Sequence, residues 1–526
     1  MRRALFACLT LMALAAMSGC SPASSAIVGS VSCTTTTVPA CTTTPSPLAA
    51  GQYAFVLGGN DPSKPMVIAG SITTDGKGNI TAGDVDVNDN GVVSSATGLT
   101  GTIAFDTLPT GSVGLGALGT FVLPNTVGSV THFLELGFAF NSEGTFGSIM
   151  DLSANNFIVA GTIQQQSAPA LSLAGMAGSY VVALNGKTGN EPTSVLGRFT
   201  LAAGGATSAL SFDRSIAGVN TAGPTAGTIV TFGGAGNDGS GRGTFTLTMN
   251  DGLTPNPTQT FAYYAVNTSR FIAAEIDANG TMMLNSSSQT AIPASADTTG
   301  SAFAMAGFDT ATASGITTVG QLIISSATSG TIANDTNDNG VVNSNTALAI
   351  PADTYSATTG RGTAAVTSGV TNGFANSVVF YLTATGTGFL MDNTVGATNR
   401  AMVGPLTPQM GVGSFSNAGD LGGSSIVLGE GAAVNLAEEA FAGEFNPLSD
   451  TIVEDERYTN NGSVVTATDN TSPAVAFLSL SASSGRGTFT IGNDTYAFYV
   501  IQPNQFVFIN ITGTSGPSPL FIATPD

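Results

Sequence analysis

Charge is the scarcest property of this 526-residue chain: Asp, Glu, Lys and Arg make up 9% of it, against about a quarter in an ordinary globular protein. There is no tryptophan, one histidine and four cysteines. A Ser-His-Asp triad would have to use His132. That residue lies in the strand-like run THFLELGF, with no G-x-S-x-G elbow beside it. The chain has no HExxH or CxxC zinc motif, no Walker loop and no dinucleotide fingerprint. Acids outnumber bases 33 to 13, for a net charge of −20. Such a surface repels phosphate backbones, which argues against nucleic acid as a partner. The reading is of a non-enzyme.

What fills the chain instead is Gly, at 67 residues, with Thr, Ser, Ala and Asn. Hydrophobic residues still reach 42%, so the composition is not that of a disordered protein. It is that of an uncharged, turn-rich β protein. The length exceeds what one core supports, so several domains are expected.

The N-terminus reads MRRALFACLTLMALAAMSGC. Arg2 and Arg3 form a positive start, and Ala4 to Met17 is an apolar run of export-signal length. Met17-Ser18-Gly19-Cys20 resembles the lipobox of bacterial lipoproteins, with Met where that family prefers Leu. The resemblance covers about 20 residues. It implies cleavage after residue 19, a lipidated Cys20, and a protein anchored to a membrane without spanning it. Ser21 after the cysteine implies the outer membrane in an envelope of Gram-negative type. Residues 20–47 are rich in Ser, Thr and Pro and read as a disordered tether. Cys33 and Cys41 lie within it, and an even pair in an exported chain favours a disulfide.

Beyond the tether the chain repeats itself. A Gly-x-aromatic start occurs at Gly51, Gly178 and Gly413, with Gly300 as a variant. A second glycine follows at Gly70, Gly197, Gly320 and Gly429. The string GRGT occurs at Gly241, Gly360 and Gly485, and the first repeat has Leu118-Gly119-Thr120 in its place. Closing phenylalanines are Phe157, Phe271, Phe389 and Phe506. The repeats are drawn as 48–168, 169–291, 292–409 and 410–526. Each shows about eight short β-branched and aromatic runs between Gly, Asn and Asp turns. The fold class expected is all-β, as tandem antiparallel barrels or sandwiches. A helical exception is expected at 432–441, and the Arg of GRGT is expected to cap a barrel end through carbonyl oxygens.

Two stretches carry chemistry. Asp86, Asn88 and Asn90 with Gly91, and Asp335, Asn337 and Asn339 with Gly340, fit D-x-N-x-N-G. That is the front half of an EF-hand loop, so calcium is a candidate cofactor. Position 12, however, is Thr97 or Thr346 rather than Glu. The competing reading is a hairpin with a type I′ Asn-Gly corner. Glu438, Glu439, Glu444, Asp450, Glu454, Asp455 and Glu456 form an acidic cluster, read as a solvated loop.

The function expected is that of an envelope lipoprotein with a structural or adhesive role. Its partner would be a glycan, a surface protein or the membrane itself. The alternative is a lipocalin-like carrier of small apolar ligands, should the barrels enclose cavities.

Overall fold

A computed structural model of the protein describes residues 48–526, apart from several short stretches. For some strands, among them 117–127 and 451–460, it describes the backbone alone. Cys20, Cys33 and Cys41 lie outside the described residues. No described helix is long and apolar enough to cross a membrane.

The fold is all-β, with four antiparallel sheets of nine strands each. They span Gly51–Gln165, Gly178–Ser288, Thr298–Pro408 and Ser425–Pro525. In the first two, the strand order is 2-1-9-8-7-6-5-3-4, and a 2–3 pairing closes eight strands into a barrel. The fourth strand hangs from the third as a hairpin arm, a ninth element where the sequence suggests eight. In the last two sheets the order is 4-3-2-1-9-8-7-6-5, the same up-and-down meander with a longer fourth strand. Residues 439–441 belong to the second strand of the fourth repeat, not to a helix. The rest of that expected helix, 432–438, lies outside the described residues.

Alternation explains the barrel walls. Arg242–Met249, RGTFTLTM, buries every second residue, as a strand with one wet face must. The buried set points inward. In the second repeat Tyr180, Phe199, Phe232, Phe245, Tyr263 and Phe271 fill the interior. The rings of Phe232 and Phe245 stack with centroids 4.6 Å apart. The fourth repeat is similar, with Phe508 and Phe521 also at 4.6 Å.

Other strands are buried on both faces. Lys64–Thr74 (KPMVIAGSITT) is buried almost throughout, because its outer face meets the next repeat. The first and second strands of each repeat pack on strands seven to nine of the repeat that follows. Each contact has its own apolar cluster: Val56, Ala69, Tyr264 and Ile272 between repeats 1 and 2; Leu196, Tyr381 and Met391 between 2 and 3; Val319, Tyr499 and Ile509 between 3 and 4. The series then returns on itself. The first two strands of repeat 4, Ser425–Gly431 and Glu439–Asn446, lie against strands seven to nine of repeat 1. Met150, Ile158, Ala160, Ala440 and Ala442 meet there. The repeats therefore make a closed cycle of four head-to-tail contacts, each between the same strands of successive repeats.

Register corrects one sequence alignment. Gly70, Gly197 and Gly320 lie in second strands, but Gly429 lies in a first strand. The matching glycine of repeat 4 is Gly443, which pairs with Val427 as Gly70 pairs with Phe55.

One buried acid works against the fold at neutral pH. Glu275 is fully buried and accepts a hydrogen bond from Gln259 Nε2 at 3.0 Å. Desolvation pushes its pKa from 4.5 up to about 9. Its contribution to stability is full below pH 4.5 and is lost as pH rises through about 9. Glu275→Gln should therefore raise the melting temperature at pH 8 and leave it nearly unchanged at pH 4. Thermal melts at the two pH values check this.

Candidate functional site: the junctions between repeats

The chemistry-bearing residues of the sequence converge on the junctions. Arg242, at the start of the sixth strand of repeat 2, reaches across to the third strand of repeat 1. Its Nε and Nη2 donate to Asp86 Oδ2 and Oδ1 at 2.8 and 2.7 Å. Tyr264, on the neighbouring seventh strand, donates to Asp86 Oδ2 at 2.6 Å. Ser95 also donates to Oδ1. The aspartate side chain is completely buried, and the arginine side chain is 23% exposed.

The same triad recurs one repeat on. Arg361 grips Asp213 at 2.8 and 2.6 Å, with Tyr381 at 3.0 Å. Arg486 grips Asp335 at 2.7 Å twice, with Tyr499 at 3.0 Å. These are bidentate, charge-assisted pairs, the strong kind. The hydrogen bonds and charge of Asp86 hold Arg242 protonated far above any accessible pH, against the opposing effect of burial. Burial, and then the charge of each aspartate, raise the pKa of Tyr264, Tyr381 and Tyr499, so these phenols remain donors.

The motif GRGT thus has a division of labour. Its arginine does not cap a barrel end through carbonyls, as expected, but pairs with the preceding repeat. The second glycine lies beneath an aromatic ring. A side chain at Gly243, Gly362 or Gly487 would collide with Tyr263, Phe380 or Phe498. The ring faces inward while the next residue, the triad tyrosine, faces out.

The D-x-N-x-N-G segments are the tips of the third and fourth strands. Asn90 and Gly91 have φ of 49° and 88°, both positive, as a type I′ turn requires. Ala217 and Gly218 repeat this in repeat 2 at 47° and 77°. Asn88 accepts from the Gly91 amide at 2.7 Å and turns its Nδ2 onto the Glu275 and Gly280 carbonyls of the next repeat at 2.9 and 3.0 Å. Asn337 does the same with Gly340 and with the Asn510 carbonyl at 2.7 and 2.8 Å. Asn90 donates its backbone N–H to the Pro65 carbonyl at 3.0 Å. Asn339 lies outside the described residues. Of the six candidate calcium ligands, both carboxylates face a full positive charge. No group of three metal-ligating His, Cys, Asp or Glu occurs among the described residues. Side chains of the acidic cluster at 438–456 lie outside them.

Sequence reasoning missed two sets. Asp213 sits in FDRSIAGVN, where Ser215 replaces the asparagine and hides the motif; Ser215 Oγ donates to the Arg400 carbonyl of repeat 3 at 3.0 Å. A glutamine ends each of the first three repeats. Gln166 Nε2 reaches the Ser240 and Ala265 carbonyls at 2.9 and 2.6 Å, and Gln289 and Gln409 reach the matching carbonyls of the next repeats. Each junction so built has a glutamine at one end, a hairpin tip at the other and the ion pair between.

A small cleft lies where repeats 1, 2 and 3 meet, lined by Gly59, Met66, Gly186, Gly307 and Phe308. Lys187 Nζ stands 5.7 Å from the centre of the Phe308 ring there.

Models of known protein families give no match to this chain, and no curated protein is significantly similar to it.

Breaking a buried pair by removing one partner costs about 3–5 kcal/mol, because the other charge is stranded. Arg361→Met should destabilise the protein on that scale, and adding Asp213→Leu should recover much of the loss. Urea melts of the two variants check it. A calcium titration by calorimetry should give no saturable heat at Asp86 and Asp335. Binding that disappears with Asp86→Asn would overturn that expectation.

Proposed function

We propose that this chain is a lipid-anchored envelope protein whose four β repeats act as a rigid structural or adhesive platform, without catalysis. The observation that carries this reading is the use of buried charge. The buried Asp86, Asp213 and Asp335 all join one repeat to the next. Residues that in an enzyme would line a cleft here hold domains in fixed orientation.

Filled interiors support the platform reading over a carrier of apolar ligands. A carrier needs a hollow barrel, whereas aromatic rings in the second repeat contact one another at 4.6 to 5.1 Å. Contact with a glycan or a surface protein would then fall to the exposed loops, and the acidic surface disfavours nucleic acid.

Anchoring rests on Met17-Ser-Gly-Cys20 and the apolar run before it. Three acyl chains on Cys20 would hold the protein firmly, where a single chain holds only marginally. The Ser/Thr/Pro tether, with Cys33 and Cys41 bridged, would set the barrels off the bilayer, at the outer membrane or cell surface. Cys20→Ala should move the protein from the membrane fraction to the soluble fraction on cell fractionation. Retention in the membrane would count against the anchor.

A further inference from the structure

Three of the four junctions carry the Asp–Arg–Tyr triad, and the fourth is built differently. In register, Gly119 pairs with Phe138 as Gly243 pairs with Tyr263. Leu118 and Ala139 therefore occupy the positions of Arg242 and Tyr264. On the facing repeat, Asp455 pairs with Ala442 as Asp86 pairs with Ala69, Asp213 with Leu196 and Asp335 with Val319. Repeat 4 brings an acid to the register position of the triad, whereas repeat 1 has no arginine in its sequence, and its one tyrosine, Tyr53, donates to the Ala49 and Gly144 carbonyls of its own repeat.

The described apolar cluster at this junction is built of shorter side chains, with Leu152 and Leu428 packed against its edge. Ala139 is buried where the other repeats bury a tyrosine. Alanines 160, 440 and 442 make up most of the cluster, with Met150 and Ile158. Short side chains remove less surface from water, and the charge-assisted bonds of the other junctions have no counterpart among these residues.

We propose that the junction between repeats 4 and 1 is the seam at which the cycle opens, the other three junctions remaining shut. Opening there converts the closed cycle into a linear series of four repeats. It exposes the first two strands of repeat 4 and strands seven to nine of repeat 1.

The four residues paired with the triad acids give a matched set of probes, because Ala69, Leu196, Val319 and Ala442 are each fully buried, one per junction. A single cysteine is placed at each in turn, in the full chain carrying Cys33→Ser and Cys41→Ser. The parent without a further cysteine supplies the background. Local opening governs labelling of a buried thiol, so Ala442→Cys should react with a maleimide at least about tenfold faster than the other three. Leu118→Arg with Ala139→Tyr in the same chain supplies the missing partners and should slow it towards their rates. Equal rates at the four positions overturn the proposal. A fast Ala442→Cys rate that the added partners leave unchanged overturns it as well, since the opening would then not depend on the missing triad.

Discussion

A buried aspartate cannot remain charged without a partner, and in this protein the partner of each triad aspartate belongs to the next repeat. That constraint organises the molecule. Asp86, Asp213 and Asp335 leave water completely, and desolvation of a lone carboxylate would cost several kcal/mol or more. The cost is offset only when the next repeat arrives with its arginine and its tyrosine. Desolvation and steric fit thereby specify one docking orientation, because a rotated neighbour would leave both ions dry and unpaired. The apolar residues around the triad supply contact area; the triad supplies direction.

The repeat sequence is shaped by this double duty. Inward positions carry rings, outward positions carry whatever the neighbouring barrel demands, and both are buried. The run Val85-Asp86-Val87-Asn88 alternates valine towards the barrel with a polar residue towards the neighbour. A strand that looks half-soluble by composition is therefore dry on both sides. This is one reason a chain with so few charges can place several of them out of contact with water.

Much of the fold was legible from residues alone. The period-2 alternation of RGTFTLTM, the aromatic runs and the Gly-Asn punctuation specify an up-and-down meander, and GRGT marks its repeats. The ninth strand was hidden because its segment in repeat 1, VVSSA, is short and polar and reads as loop. The junctions were harder. D-x-N-x-N-G serves two chemistries, oxygens converging on a cation or a type I′ corner with its asparagine turned outward, and the pattern itself does not distinguish them. A signal was nonetheless present. The arginine occurs in repeats 2, 3 and 4 and is missing from repeat 1, while the acids it pairs with belong to repeats 1, 2 and 3. An offset of one repeat is what a contact from each domain to its successor leaves in a sequence. Seeing it required recognising Asp213, whose surroundings differ from those of the other two. The return of repeat 4 onto repeat 1 left no comparable mark, since small apolar residues at a contact resemble small apolar residues anywhere.

Cyclic closure also restricts how this architecture can vary. An open stack of repeats gains or loses a unit at little penalty, since each new unit reproduces the same nearest-neighbour contact. Here the first and last units touch, so the angles between successive repeats must sum to a full turn. A fifth barrel would force every junction to a new angle and pull each arginine away from its aspartate. Copy number is thus a geometric property of the junction: the same bonds that fix one barrel on the next also count them.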